Sequence, residues 1–215
     1  LSSSSPEAPR LHVETQRFDR SGPYSFSLKQ GICAGLKGVS GVGKTRLLRV
    51  LADIDPSSGR VALNGKDRHD YKPHEWRRLV AMIPAESRWW HPLVGDHLPL
   101  GKDRRRADDL LRSCGFEPDV LGWDVSRLST GEKQRLSLVR ALIRDPQVVL
   151  LDEVGSGLDT DNATLLEALV QGYLEDNRAA AIWVSHNPEL LERVATLTLT
   201  MLPDSLSVSS EQKST

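Results

Sequence analysis

Gly38-Val39-Ser40-Gly41-Val42-Gly43-Lys44-Thr45 follows the pattern G-x-x-x-x-G-K-[ST], which cradles phosphate when it joins a strand to a helix. Gly38, Gly41 and Gly43 let backbone N–H groups curl around phosphate oxygens where a Cβ would obstruct them, and Ser40 lies in the same curl. A helix starting at Lys44 would add the partial positive charge of its N-terminus. Lys44 would reach the β- and γ-phosphates, and Thr45 would offer its hydroxyl to Mg²⁺. Chance produces such a match in on the order of one chain of this length in a hundred. The plain alternative is a glycine-rich turn without a ligand, and the flanking strand and helix patterns argue against it.

Val148-Val149-Leu150-Leu151 runs directly into Asp152-Glu153. Two carboxylates ending a buried strand are costly without a partner, and Mg²⁺ supplies one. Asp152 is expected to hold the metal, directly or through water, and Glu153 to polarise the water that attacks the γ-phosphate. Asp often follows a strand with no chemical duty, but beside the glycine-rich loop that reading weakens. Leu128-Ser129-Thr130-Gly131-Glu132 precedes a helical run with Leu136, Val139, Leu142 and Ile143 on one face. Ser129 followed three positions on by Glu132 is a capping box. The same helix N-terminus, with the Ser129 hydroxyl, could hold a phosphate bound to a second protein; both roles can coexist. His186 ends an apolar run and could hydrogen-bond the γ-phosphate, although a strand-end His more often has a structural role.

These groups work together only if a frame brings several strand ends to one place. Short β-favouring runs at 11–18, 24–28, 32–37, 61–63, 79–83, 148–152 and 180–185 alternate with helical periodicity at 44–52, 130–144, 161–174 and 188–194. That alternation, with the phosphate loop, predicts an α/β fold of the P-loop NTPase class: a mostly parallel sheet core with an antiparallel β portion at the N-terminus. A hairpin is expected near 196–208. The texture changes over about 87–127, where Trp, His, Pro and the charged run from Lys102 to Arg106 suggest a short, mostly helical insertion subdomain. Residues 1–10 read as a disordered leader, 11–202 as the nucleotide-binding domain, and the Ser-rich 203–215 as a partly ordered tail.

At 215 residues the chain has room for one domain, or one with a subdomain. With 28 Lys+Arg against 29 Asp+Glu, the formal charge of −1 argues against a basic nucleic-acid-binding domain. No apolar stretch approaches the roughly 20 residues needed to span a bilayer, and the first residues do not read as a secretory leader. The widely separated Cys33 and Cys114 suggest neither a disulfide framework nor a paired metal site, and suit a reducing cytosol. His69 with His74, and His91 with His97, lack further ligands for a metal cage.

The order of these motifs, with Gly157-Leu158-Asp159 between Glu153 and His186, resembles the nucleotide-binding subunit of ATP-binding cassette (ABC) transporters over about residues 10–202. The resemblance implies a Mg²⁺-dependent ATPase with ATP and Mg²⁺ as its ligands. It makes 128–132 the signature loop, with Ser129 and Gly131 serving the ATP of a second subunit, 155–159 the D-loop ending at Asp159, and His186 the switch histidine. An adenine-stacking aromatic is implied upstream; Phe18 and Tyr24 both qualify and Phe18 is favoured, a stack contributing about 1–3 kcal/mol. The implied partners are a second copy of the subunit, closing with the first around two ATP molecules, and a separate transmembrane permease driven by that closure. The implied location is cytoplasmic, peripheral on the inner face of the cell membrane and attached only through the permease, without nucleic acid. Trp89-Trp90 in the insertion would then face the permease, or else pack between lobes. The chain departs from the family at Thr130 and Glu132, usually Gly and Gln, at Val154-Gly155, usually Pro-Thr, and at Ala85, usually a Gln touching the metal and water. Glu86 is the nearest oxygen donor to take over, or else a solvated loop acid. A soluble ABC-type ATPase acting on DNA or ribosomes usually carries a long coiled coil or tandem cassettes. A GTPase needs an Asn-Lys-x-Asp segment that Asn64-Gly65-Lys66-Asp67 does not match.

Overall fold

The computed structural model describes residues 10–98 and 104–210; most of the expected leader, part of the charged run at 102–106 and the last five residues lie outside that range. Strands β1 (Leu11–Phe18) and β2 (Ser21–Leu28) pair antiparallel, and β4 (Ser58–Leu63) and β5 (Lys66–Asp67) extend them into a sheet ordered β2-β1-β4-β5. A second sheet is built from β3 (Cys33–Lys37), β6 (Val80–Ile83), β7 (Val148–Asp152), β8 (Ala180–Val184), β9 (Leu197–Met201) and β10 (Leu206–Ser210). Its order is β10-β9-β3-β8-β7-β6, parallel throughout except for the antiparallel edge strand β10. The helices are α1 (Lys44–Leu51), α2 (Pro73–Leu79), α3 (Arg104–Ser113), α4 (Thr130–Leu142), α5 (Thr160–Asp176) and α6 (Pro188–Val194).

Strands covered on both faces need apolar residues at every position, and β7 and β8 are buried along their whole length. Their side chains divide by the two-residue period of a strand. Val148, Leu150, Ala180, Ile182 and Val184 join one core, packed with α1 and the β1-β2 sheet. Val149, Leu151, Ala181 and Trp183 join the other, packed with α4, α5 and α6.

The elements add detail to the expected pattern. Helix α2 buries only Trp76, whose indole N–H donates to the Leu51 carbonyl at 2.8 Å, so it leaves no periodic apolar stripe to read. Among its described residues the stretch 87–127 holds α3 and three short 3₁₀ turns, Val94–His97, Pro118–Gly122 and Val125–Arg127. The expected tail boundary at 203 falls inside a hairpin: β10 pairs with β9 through Ser210, and the Tyr24 hydroxyl lies 2.9 Å from the Leu202 and Pro203 carbonyls at its turn. Helix α4 is also less one-sided than its apolar spacing implies, because Gln134, Arg135 and Ser137 are buried with Leu136, Leu138 and Val139.

Candidate functional site

In a parallel sheet the carboxyl ends of neighbouring strands open on one edge, which is where ligands bind in such folds. Here β3 ends in the phosphate loop, β8 in Ser185-His186 and β7 in Asp152-Glu153, in adjacent positions. Gly41 and Gly43 of the loop have φ of 77° and 108°, and a Cβ at Gly38 would come 2.7 Å from the Met201 carbonyl oxygen, so glycine is required there. Helix α1 starts at Gly43 with no side chain capping its first N–H groups, whereas α4, α5 and α6 are capped by Ser129, Asp159 and Asn187. The uncapped N–H groups and their dipole form an anion site at the mouth of the loop. The buried Lys44 ammonium donates to the Gly38 and Val39 carbonyls at 2.8 and 3.2 Å, holding its charge inside the loop.

Thr45 donates its hydroxyl to Asp152 Oδ1 at 3.0 Å, which brings one end of α1 against the end of β7. Burial pushes the Asp152 carboxyl above its ordinary range, against the Thr45 hydrogen bond and the Lys44 charge, which pull it down. A buried carboxylate beside a hydroxyl is a hard-oxygen donor pair that fits Mg²⁺. Glu153 follows with φ 54°, a left-handed conformation that costs a non-glycine residue about 1–3 kcal/mol and is characteristic of functional positions. Its N–H donates to the Val184 carbonyl at 2.9 Å, locking this strained residue against β8. The carboxylate accepts from the His186 backbone N–H at 3.1 Å, and His186 Nε2 lies 3.3 Å from the other oxygen without aligning for a hydrogen bond. The cleft above, 560 Å³, is lined by Ser40, Gly41, Gly43, Lys44 and Thr45 on one side and by Glu153 and His186 on the other. Arg46, Arg49 and Asp55, which no motif singles out, line it too.

Ser129, Gly131 and Asp159 do not line this cleft. Ser129 and Glu132 form the reciprocal capping box: the Glu132 N–H donates to Ser129 Oγ at 3.2 Å and the Ser129 N–H to Glu132 Oε2 at 2.8 Å. The Ser129 hydroxyl accepts in this box, so its own proton stays free to donate. A Cβ on Gly131 would come 2.8 Å from Leu158 Cδ2, so the start of α4 rests against the loop before α5. Asp159 caps α5 by accepting from the Asn162 N–H at 2.9 Å. That backbone hydrogen bond, with the Asn162 side chain, holds its carboxyl below the usual range.

Phe18 does not present the stacking face expected of it. It is 4% exposed, its ring sits 5.7 Å from that of the fully buried Tyr24, and its edge lies beneath Gly43. Phe18 at the end of β1 and Tyr24 in the alternating pattern of β2 both turn inward, and the Phe18 ring supports the phosphate loop from below. Gln134 is a residue without a motif to mark it: its amide donates to the Ala85 carbonyl at 3.2 Å and accepts from the Gly155 N–H at 3.3 Å. It thereby ties α4 to the loops after β6 and β7. Glu86 is exposed and lies outside the cleft, so the geometry makes it a loop acid.

Comparison with known proteins agrees with this geometry. Residues 22–156 match the family described as ABC transporter. The chain belongs to that family. It is 33% identical to the probable iron export ATP-binding protein FetA of Escherichia coli (strain K12), over 77% of either chain. It is 30% identical to the thiamine import ATP-binding protein ThiQ of Aliivibrio fischeri (strain ATCC 700601 / ES114), over 76% of this chain and 74% of that protein. The solved structure of cbiO1 from Clostridium perfringens, part of the ABC transporter complex cbiONQ, shares the fold with a TM-score of 0.80 at 20% identity, over 95% of this chain and 89% of that one. The protein is thus an ABC-type ATPase with a P-loop NTPase fold, the ATP-binding part of a transport system. Among the described residues, no helix is long and apolar enough to cross a membrane.

Proposed function

We propose that this chain hydrolyses ATP as one of a pair of identical subunits, closing head to tail and driving a separate transmembrane permease from the inner face of the cell membrane. The observation that carries the reading is the meeting of the phosphate loop, Glu153 and His186 in one cleft, with Asp152 hydrogen-bonded to Thr45 of its wall. The loop N–H groups and Lys44 bind the β- and γ-phosphates, and Thr45 and Asp152 hold Mg²⁺. Bound there, Mg²⁺ neutralises charge on the phosphate oxygens. Glu153 takes a proton from the attacking water, and His186, alongside its carboxylate, orients it and faces the γ-phosphate. Ser129, Gly131 and the start of α4, with the D-loop Asp159, serve the ATP held by the second copy, since they stand outside this chain's own cleft. Relatives named for export and for import both match, so the direction of transport belongs to the permease.

Glu153→Gln tests the reading. The variant is expected to bind ATP like the wild type, to hydrolyse it at least ~100-fold more slowly, as loss of a general base requires, and to accumulate as an ATP-bound dimer in sedimentation. Unchanged turnover would remove Glu153 from the chemistry.

A further inference from the structure

Among the described residues, the ATP cleft has no aromatic wall, because Phe18 and Tyr24 are committed to the core. Beyond the phosphate loop the cleft runs along the first turn of α1 to Arg46, Arg49 and Asp55. A nucleotide whose phosphates lie on the loop must place its sugar and base past the α-phosphate, and Arg46 immediately follows Thr45. Its guanidinium is held by one hydrogen bond and one ion pair. Nη2 donates to Asp19 Oδ1 at 3.3 Å, in the turn between β1 and β2, and Nε lies 3.0 Å from Asp55 Oδ2. Asp55 is itself fixed by a two-pronged pair with Arg49, at 2.8 and 2.7 Å. Those Arg49 hydrogen bonds, first among the causes, keep the Asp55 carboxyl below the usual range and so ionised. Held by the Nη2 hydrogen bond to Asp19 and the charge of Asp55 beside Nε, the guanidinium has a flat face to offer for stacking, and the Arg46 side chain is 39% exposed.

We propose that Arg46 is the base platform of this site: the purine stacks on its guanidinium, whose plane is set by Asp19 and by the Arg49–Asp55 pair. This rests on the cleft being the ATP site. Stacking on a cation reads the π-face of a base and not its hydrogen-bonding edge, so the site discriminates poorly between adenine and guanine.

The test compares wild type, Arg46→Lys, Arg46→Ala and Asp19→Asn, titrated calorimetrically with Mg-ATP, Mg-GTP and inorganic tripolyphosphate. Lysine keeps the charge and removes the plane. Arg46→Lys and Arg46→Ala are expected to weaken ATP about 5- to 100-fold, the range of a lost base stack. Arg46→Lys should hold tripolyphosphate within about twofold of wild type. Asp19→Asn, which frees one edge of the guanidinium, should weaken ATP by a smaller factor and leave tripolyphosphate unchanged. Wild type should bind GTP within about fivefold of ATP. Arg46→Lys binding ATP like the wild type, or losing ATP and tripolyphosphate equally, overturns the platform while leaving the ATP site intact. A wild type that binds neither ATP nor tripolyphosphate overturns the site itself, and the platform with it. Melting curves of Arg46→Lys and Asp19→Asn matching wild type separate loss of stacking from loss of fold.

Discussion

Glu153 and Phe18 show how one side chain's surroundings decide its work. Glu153 stands in a left-handed backbone conformation, pinned to Val184 and facing His186, which fixes its carboxylate at the end of β7 beside the phosphate loop. Phe18 occupies the position where a base-stacking aromatic is expected and instead fills a core, its ring against Tyr24 and below Gly43. Phe18→Ala is therefore expected to act on stability, by about 3–5 kcal/mol for a buried ring removed from a core. Phe18→Leu, which refills most of the volume, should cost clearly less and leave the ATP dissociation constant near wild type. Chemical denaturation and calorimetric titration of the two variants check this; a stable Phe18→Leu that loses ATP would restore the ring to the nucleotide site.

Helix α4 shows two uses of one element. Its N-terminus carries a complete capping box, and its first buried polar residue, Gln134, bridges the Ala85 carbonyl and the Gly155 N–H. The cap stabilises the helix by about 1 kcal/mol, a modest amount that leaves the Ser129 hydroxyl proton available to a second copy's phosphate. Ser129→Arg, placed on the Glu153→Gln background, is expected to keep ATP binding by the single chain and to abolish the ATP-dependent dimer, read by sedimentation with and without ATP. If that dimer forms normally, the start of α4 is a cap and nothing more.

For the whole molecule, the surface and the core separate residues that look alike in the sequence. Trp89 packs against the core of α3 to α6, while its neighbour Trp90 is 66% exposed; Arg140 lies over both rings, at 4.8 and 5.2 Å, and His97 meets both edge-on. Trp89→Ala should lower the melting temperature by about 5 °C or more, since a fold of 215 residues moves ~2–4 °C per kcal/mol. Trp90→Ala should leave it within about 1 °C, by the small cost of an exposed substitution, and weaken co-purification with the permease. The two thiols report on the intact fold. Both are buried, and burial pushes the Cys114 thiol from 9.0 up to about 12. Below pH 9 the thiol is neutral in both folded and unfolded chains and adds no pH dependence. Between there and about 12 only the unfolded thiol ionises, so stability falls as pH rises. Iodoacetamide at pH 8 should label neither cysteine in the native protein and both in denaturant; fast native labelling of Cys114 would contradict its burial.

The phosphate loop, the Asp152-Glu153 pair, the Ser129 cap and His186 are legible in the sequence because each depends on local spacing: glycines where the backbone must turn left-handed, carboxylates at the end of an apolar run, a Ser and a Glu three residues apart. Strand and helix alternation is equally local, so the α/β class follows from periodicity. What sequence spacing cannot carry is the meeting of residues far apart in the chain. That Phe18 faces inward depends on which side of β1 is covered, that Gln134 joins Ala85 to Gly155 depends on how α4 crosses the sheet, and that Asp19 and Asp55 hold Arg46 depends on the β1-β2 turn coming to the first turn of α1. Each is set by packing between elements, and only the tertiary structure decided it.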